Sequence, residues 1–141
     1  MSQSPVEEPV IAAAIVASGG RVLMIRRSVA EGELSWQFPA GKVEPSESSA
    51  EAAVREAYEE TGVAVRATRS LGQRVHPVTG RTVVYVACEL VAGCAQVMDD
   101  REVAEVAWCE RAELAERVPY PLFEPVQVYL DIALVQAQHE R

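Results

Sequence analysis

Apolar positions fall first into two short runs, residues 10–17 and 21–26, on either side of Ser18-Gly19-Gly20. Two strand-like runs joined by Gly-Gly predict a β-hairpin. Residues 28–47 then carry Gly32, Pro39, Gly41 and Pro45, which predicts a long, ordered loop region around Trp36 and Phe38. From Ser48 the chain turns to good helix formers: Ala50, Ala52, Ala53, Arg55, Glu56 and Ala57. Ser48 and Glu51 have capping-box spacing, and Gly62 supplies a stop, because glycine enters the left-handed region that ends a helix. Residues 63–75 and 82–91 read as two strands joined through His76-Pro77-Val78-Thr79-Gly80, and Val103–Cys109 as a third. Arg111–Arg117 reads as a weak helix. Residues 123–138 read as a stronger one, with Val126, Leu130, Ala133 and Leu134 on one side. Strands interleaved with helices, yet partly joined by hairpins, predict an α/β chain with a mixed sheet packed by helices. Residues 1–8 are polar and read as a flexible tail, which leaves 9–141 as a single domain without repeat or linker.

Composition narrows the function classes. A chain of 141 residues, 49% hydrophobic, can bury a core without disulfide staples. Its 13 basic and 21 acidic groups leave a net charge of -8, which argues against a nucleic-acid polymer as partner. Cys88, Cys94 and Cys109 are an odd set without CxxC spacing, and read as reduced thiols in a cytoplasmic protein. The longest apolar run, residues 10–17, falls far short of the roughly 20 residues that span a bilayer. Glu7 and Glu8 precede it, the wrong charge for a signal peptide, so no membrane association is expected.

The acids are not spread evenly. Residues 41–63 hold six (Glu44, Glu47, Glu51, Glu56, Glu59, Glu60) against two bases, Lys42 and Arg55, a net of -4 and half the excess of the chain. On a helix advancing about 100° per residue, Glu56, Glu59 and Glu60 share an arc of roughly 100°. Ala50, Val54, Ala57 and Thr61 fall on a neighbouring arc that can pack on a sheet. Like charges at i, i+3 and i+4 repel, and a divalent cation would relieve them. Carboxylates without His or Cys select a hard ion such as Mg²⁺, with Mn²⁺ as a substitute. Taken alone, three glutamates on a helix read first as a solvated face.

The surrounding residues decide between the two. Gly41, five residues, Glu47, seven residues and then Arg55-Glu56-Ala57-Tyr58-Glu59-Glu60-Thr61-Gly62-Val63 resembles the Nudix box, G-x5-E-x7-R-E-U-x-E-E-x-G-U with U a bulky apolar residue. Every charged and glycine position matches. Ala57 stands where a larger aliphatic is usual, and Ala40, after Trp36-Gln37-Phe38-Pro39, where glycine is common. The resemblance implies the family's α/β/α sandwich, with a mixed β-sheet between helices. It also implies roles. Glu56, Glu59 and Glu60 would bind Mg²⁺ together with the Ala40 carbonyl, and Arg55 would orient Glu56. Glu47 would bind or orient from the loop, and Gly41 would give the backbone freedom to place that carbonyl.

Members of the family cleave a nucleoside diphosphate linked to another moiety, and many are dimers, so a homodimer is an open expectation. A carboxylate must take the proton of the attacking water. That base comes from the box or, in parts of the family, from a later loop, where Glu102 and Glu105 are the candidates. Their segment reads equally as an exposed acidic turn. The loop after Val75 reads first as a Pro- and Gly-punctuated turn. Its functional reading puts Arg74, His76 or Arg81 beside substrate phosphates. Trp36, Phe38 and Tyr85 could stack a base, although aromatic residues at such positions more often serve the core. Tyr120 and Phe123 read as packing. The expected activity is a MutT-like nucleoside triphosphate pyrophosphohydrolase yielding a monophosphate and pyrophosphate. An ADP-ribose or nucleotide-sugar pyrophosphatase is the alternative enzyme, and a non-catalytic nucleotide-sensing module the alternative of another class.

Overall fold

The computed structural model describes residues 9–31 and 34–135. The tail expected over residues 1–8 and the end of the last expected helix, residues 136–138, lie outside the described residues. Among the described residues, seven strands and three helices follow in the order β1 (Ile11–Ser18), β2 (Arg21–Glu31), β3 (Leu34–Gln37), β4 (Ala40–Lys42), α1 (Ser49–Thr61), β5 (Ala64–Val75), β6 (Thr82–Ala92), β7 (Val103–Cys109), α2 (Arg111–Arg117) and α3 (Glu124–Ala133). The sheet is mixed, and α1 covers one face and α3 the other. This is the expected α/β/α sandwich.

The Gly19-Gly20 turn closes the β1–β2 hairpin as the sequence predicts, with both glycines at positive φ. The pairing lasts only two residues, Ala17 with Val22 and Ser18 with Arg21. Beyond that the strands part. The first half of β1 pairs with β4 on one side, and β1 runs parallel to β6 on the other. β2 continues between β3 and β7. One hairpin therefore holds two half-sheets that diverge, and a cavity opens in the split.

Residues 28–47 are not one loop. β2 extends through Glu31, and β3 and β4 are short strands inside that span. Both are too short to display a period, and each is fixed by its ladder, β3 against the preceding β2 and β4 against the distant β1. Pro39 between them accepts a hydrogen bond at its carbonyl from the Ala14 amide (2.8 Å). The core is double. Ala13, Ile15, Phe38, Tyr85, Val126 and Leu130 pack under α3. Ala12, Ala14, Val16, Ala53, Ala57, Val63 and Val86 pack under α1. Alternate residues of β1 thus feed opposite faces, which is why residues 10–17 read as an unbroken apolar run.

Candidate active site

α1 is fixed at both ends by local chemistry. The Ser48 hydroxyl accepts from the Glu51 amide (3.0 Å) while the Glu51 carboxylate accepts from the Ser48 amide (2.8 Å). At the other end Gly62, at φ 79°, closes the helix by donating to the Tyr58 carbonyl. Ala52, Ala53, Ala57 and Thr61 are buried, so the packing arc includes Ala52 and Ala53 and leaves Ala50 and Val54 at its margin. Small side chains bring the helix close to the sheet, so Glu56 and Glu60, beside the packing arc, are drawn inward with it. Glu60 is 7% exposed, and the Glu56 side chain 13%, whereas that of Glu59 is 55% exposed.

Arg55 organises the acids. Its Nε and Nη2 donate to the two oxygens of Glu47 (2.7 and 2.8 Å). Its Nη1 donates to Glu56 (2.9 Å) and Glu59 (3.1 Å), and Nη2 also to the Lys42 carbonyl (3.0 Å). One guanidinium thus joins the preceding loop, β4 and two turns of α1, using the planar fork that lysine lacks. Its hydrogen bonds hold Glu47 down to about 2. Among the described residues no guanidinium hydrogen-bonds to Glu60, although the charge of Arg27 favours its ionised form. Burial, then the charge of Glu56, pushes its carboxyl up to about 8, against a hydrogen bond from the Ala40 amide (3.0 Å). Burial also raises Glu56, with Arg55 opposing and Glu59 and Glu102 adding to the rise.

Gly41 serves differently from the expectation. It is not among the positive-φ glycines, so conformational freedom is not what its position demands. A Cβ there would collide with the Glu56 carboxylate. The need is for space: the β4 backbone passes directly against the acid.

The acids fit a hard divalent cation in donor type and in mutual repulsion. Among the described residues, no three carboxylate, imidazole or thiol groups already stand around one point. Glu56 and Glu59 are turned to Arg55 instead, so the fit lies in chemistry and charge rather than in preformed coordination.

A cavity of about 730 Å³ runs from these acids across the sheet. Ala40, Gly41, Arg55, Glu56, Glu59, Glu60 and Glu102 line one part, and Phe38, Arg74, His76, Arg81 and Tyr85 another. Glu47 is not in the lining and acts on it through Arg55. Glu105 is turned away, in an exposed ion pair with Arg26 (2.7 Å), whereas Glu102 lines the cavity, with Asp99 of the same segment beside it in the lining. Phe38 and Tyr85 are core residues as well as cavity wall. Arg74 donates from Nε to the Tyr85 hydroxyl (3.2 Å) and lies over the rings of Tyr85 and Phe123. Trp36 also lines the cavity, with Arg117 stacked 4.3 Å from its ring centre.

The sequence reading missed Arg27, Arg101 and Tyr120 in this wall. Arg27 lies one residue past the apolar run expected to form the strand, and β2 carries through it to Glu31. Tyr120 was read as packing, although its place between Pro119 and Pro121 marked a rigid aromatic in a connector.

Comparison with known proteins agrees with this architecture. The chain matches the NUDIX domain family over residues 7–127 and belongs to it. It is 29% identical over 113 residues to a CTP pyrophosphohydrolase of Escherichia coli K12, covering 79% of this chain and 81% of the relative. A NUDIX hydrolase from Nitrosomonas europaea superposes with a TM-score of 0.73 at 22% identity, over 89% of this chain and 72% of that one. A MutT NUDIX hydrolase from Burkholderia pseudomallei gives 0.65 at 25% identity, over 89% and 98%. The protein is therefore a hydrolase of the Nudix class, whose members act on phosphoric anhydrides of small nucleotides, generally with a divalent metal. No helix among the described residues is long and apolar enough to cross a membrane.

Proposed function

We propose that the chain is a Mg²⁺-dependent nucleoside triphosphate pyrophosphohydrolase that releases a nucleoside monophosphate and pyrophosphate. The observation that carries this reading is one cavity holding both a cluster of crowded acids and a wall of aromatic and basic side chains. The relative named for CTP supports a triphosphate over a nucleotide sugar.

Glu56, Glu59 and Glu60, with the Ala40 carbonyl, would hold Mg²⁺. When bound, the ion neutralises phosphate charge and makes water a better nucleophile at neutral pH. The protein's own groups do the rest. Arg55 fixes the direction of Glu56 and Glu59 by charge-assisted hydrogen bonds. Gly41 leaves room for Glu56. The carboxylate of Glu102 takes the proton of the attacking water. Arg27 and Arg81 supply positive charge for phosphate oxygens, and Phe38 and Tyr85 give the base an apolar wall.

The test is a turnover panel of nucleoside triphosphates, ADP-ribose and nucleotide sugars with Mg²⁺ and with Mn²⁺. Release of pyrophosphate from a triphosphate is the expected result. A sugar phosphate as the main product would replace this reading with the nucleotide-sugar alternative. No turnover of any compound would point to a nucleotide-sensing module.

A further inference from the structure

At the far side of the cavity two tyrosines have their hydrogen-bond polarity set by what stands behind them. His76 Nδ1 lies 3.1 Å from the Val78 amide and 3.4 Å from that of Thr79. A backbone N–H can only donate, so Nδ1 is an acceptor and the neutral ring carries its proton on Nε2. Nε2 lies 3.2 Å from the Tyr120 hydroxyl oxygen, which therefore accepts from His76. Tyr85 is in the same position, because the guanidinium of Arg74, a donor only, fills the acceptor side of its hydroxyl. Each phenol oxygen is thus supplied with a proton from behind, and its own O–H is left to donate. The two residues line one cavity.

Strand register places this wall. Ala40 pairs with Ala13, and Ala13 pairs with Tyr85. Two strand spacings put Tyr85 about 10 Å across the sheet from the backbone beside Glu60. The same cavity wall carries apolar Phe38, Val83, Val118 and Leu122, with Arg74 bonded to the Tyr85 hydroxyl. Apolar side chains with a few oriented donors suit a flat group rich in acceptors, while phosphates are drawn to the ion that the acids would hold, with Arg27 beside Glu60.

We propose that Tyr120, together with Tyr85, selects the nucleobase by donating hydrogen bonds to acceptor atoms on its edge, with His76 as the positioning residue behind Tyr120. The inference rests on the nucleotide reading above. Tyr120→Phe tests it, because the ring and its edge contact with His76 remain and only the hydroxyl is lost. For the base that the wild type prefers, KM should rise about tenfold, the size of one lost hydrogen bond, with kcat within about twofold. The preference between best and worst nucleoside triphosphate should shrink by the same factor. An unchanged KM overturns the proposal. So does an equal loss for every base, which would place the hydroxyl on sugar or phosphate. Calorimetric affinities for the four nucleoside monophosphates, wild type against Tyr120→Phe, judge it separately from turnover. A wild type that binds them selectively but hydrolyses no triphosphate defeats the enzymatic reading and leaves this one standing. Equal affinities of the two proteins defeat this one.

Discussion

Single side chains at the acidic end have roles that substitution can separate. Arg55 makes five hydrogen bonds and is mostly buried. Replacing it with Ala leaves Glu56 and Glu47 unpaired, and we expect a loss of about 2–3 kcal/mol of stability by denaturant melts. Arg55→Lys should recover only part of it, since an ammonium cannot span Glu47 and Glu56 together. Glu60 gives a pH signature. In metal-free protein its folded pKa of about 8 stands above the ordinary 4.5. Between those values the folded state holds a proton that the unfolded chain releases, so stability must fall as pH rises through that window. Thermal melts in chelator from pH 5 to 8 should show this decline, and Glu60→Gln should flatten it. Parallel slopes for the two proteins would remove Glu60 as its source.

Elements differ in how far they can be read before their partners are known. α1 is governed by neighbours in sequence: Ser48 with Glu51 at its start, Gly62 at its end. We expect Gly62→Ala to cost about 1–2 kcal/mol, because alanine is strained at φ 79° and its Cβ would also press Met98 Sδ at 3.1 Å. A denaturation midpoint equal to that of the wild type would contradict that. The same locality made the box acids and the Gly19-Gly20 hairpin legible in the sequence. β3 and β4 were not, because a strand of three or four residues exists through its partner: β3 is held by the preceding strand β2 and β4 by β1, far back in the chain. Gly41 was noticed for the wrong property: its contact with Glu56 spans fifteen positions and shows only when β4 lies against α1. Tyr120 is the extreme case. Its hydroxyl is oriented by His76, 44 positions earlier, which in turn is oriented by two amides of its own turn.

At the scale of the whole molecule, the split between the half-sheets gathers acids from α1, the backbone of β4, Glu102 before β7 and the aromatic wall of β6 around one cavity. The crowding of charge there is a folding cost that a bound cation removes, so activity and stability should share one dependence on metal. We expect Mg²⁺ at a hundredfold excess over its dissociation constant to add about 2.7 kcal/mol to the unfolding free energy. Its removal by chelator should abolish turnover. Glu59→Gln should lower kcat by orders of magnitude and reduce the Mg²⁺-dependent rise in melting temperature, whereas Tyr120→Phe, at the other end of the cavity, should leave that rise intact. If Mg²⁺ and Mn²⁺ shift neither the melting temperature nor the rate of the wild type, the acids are not an ion site, and their crowding must be relieved by protonation of Glu60 and by Arg55 alone.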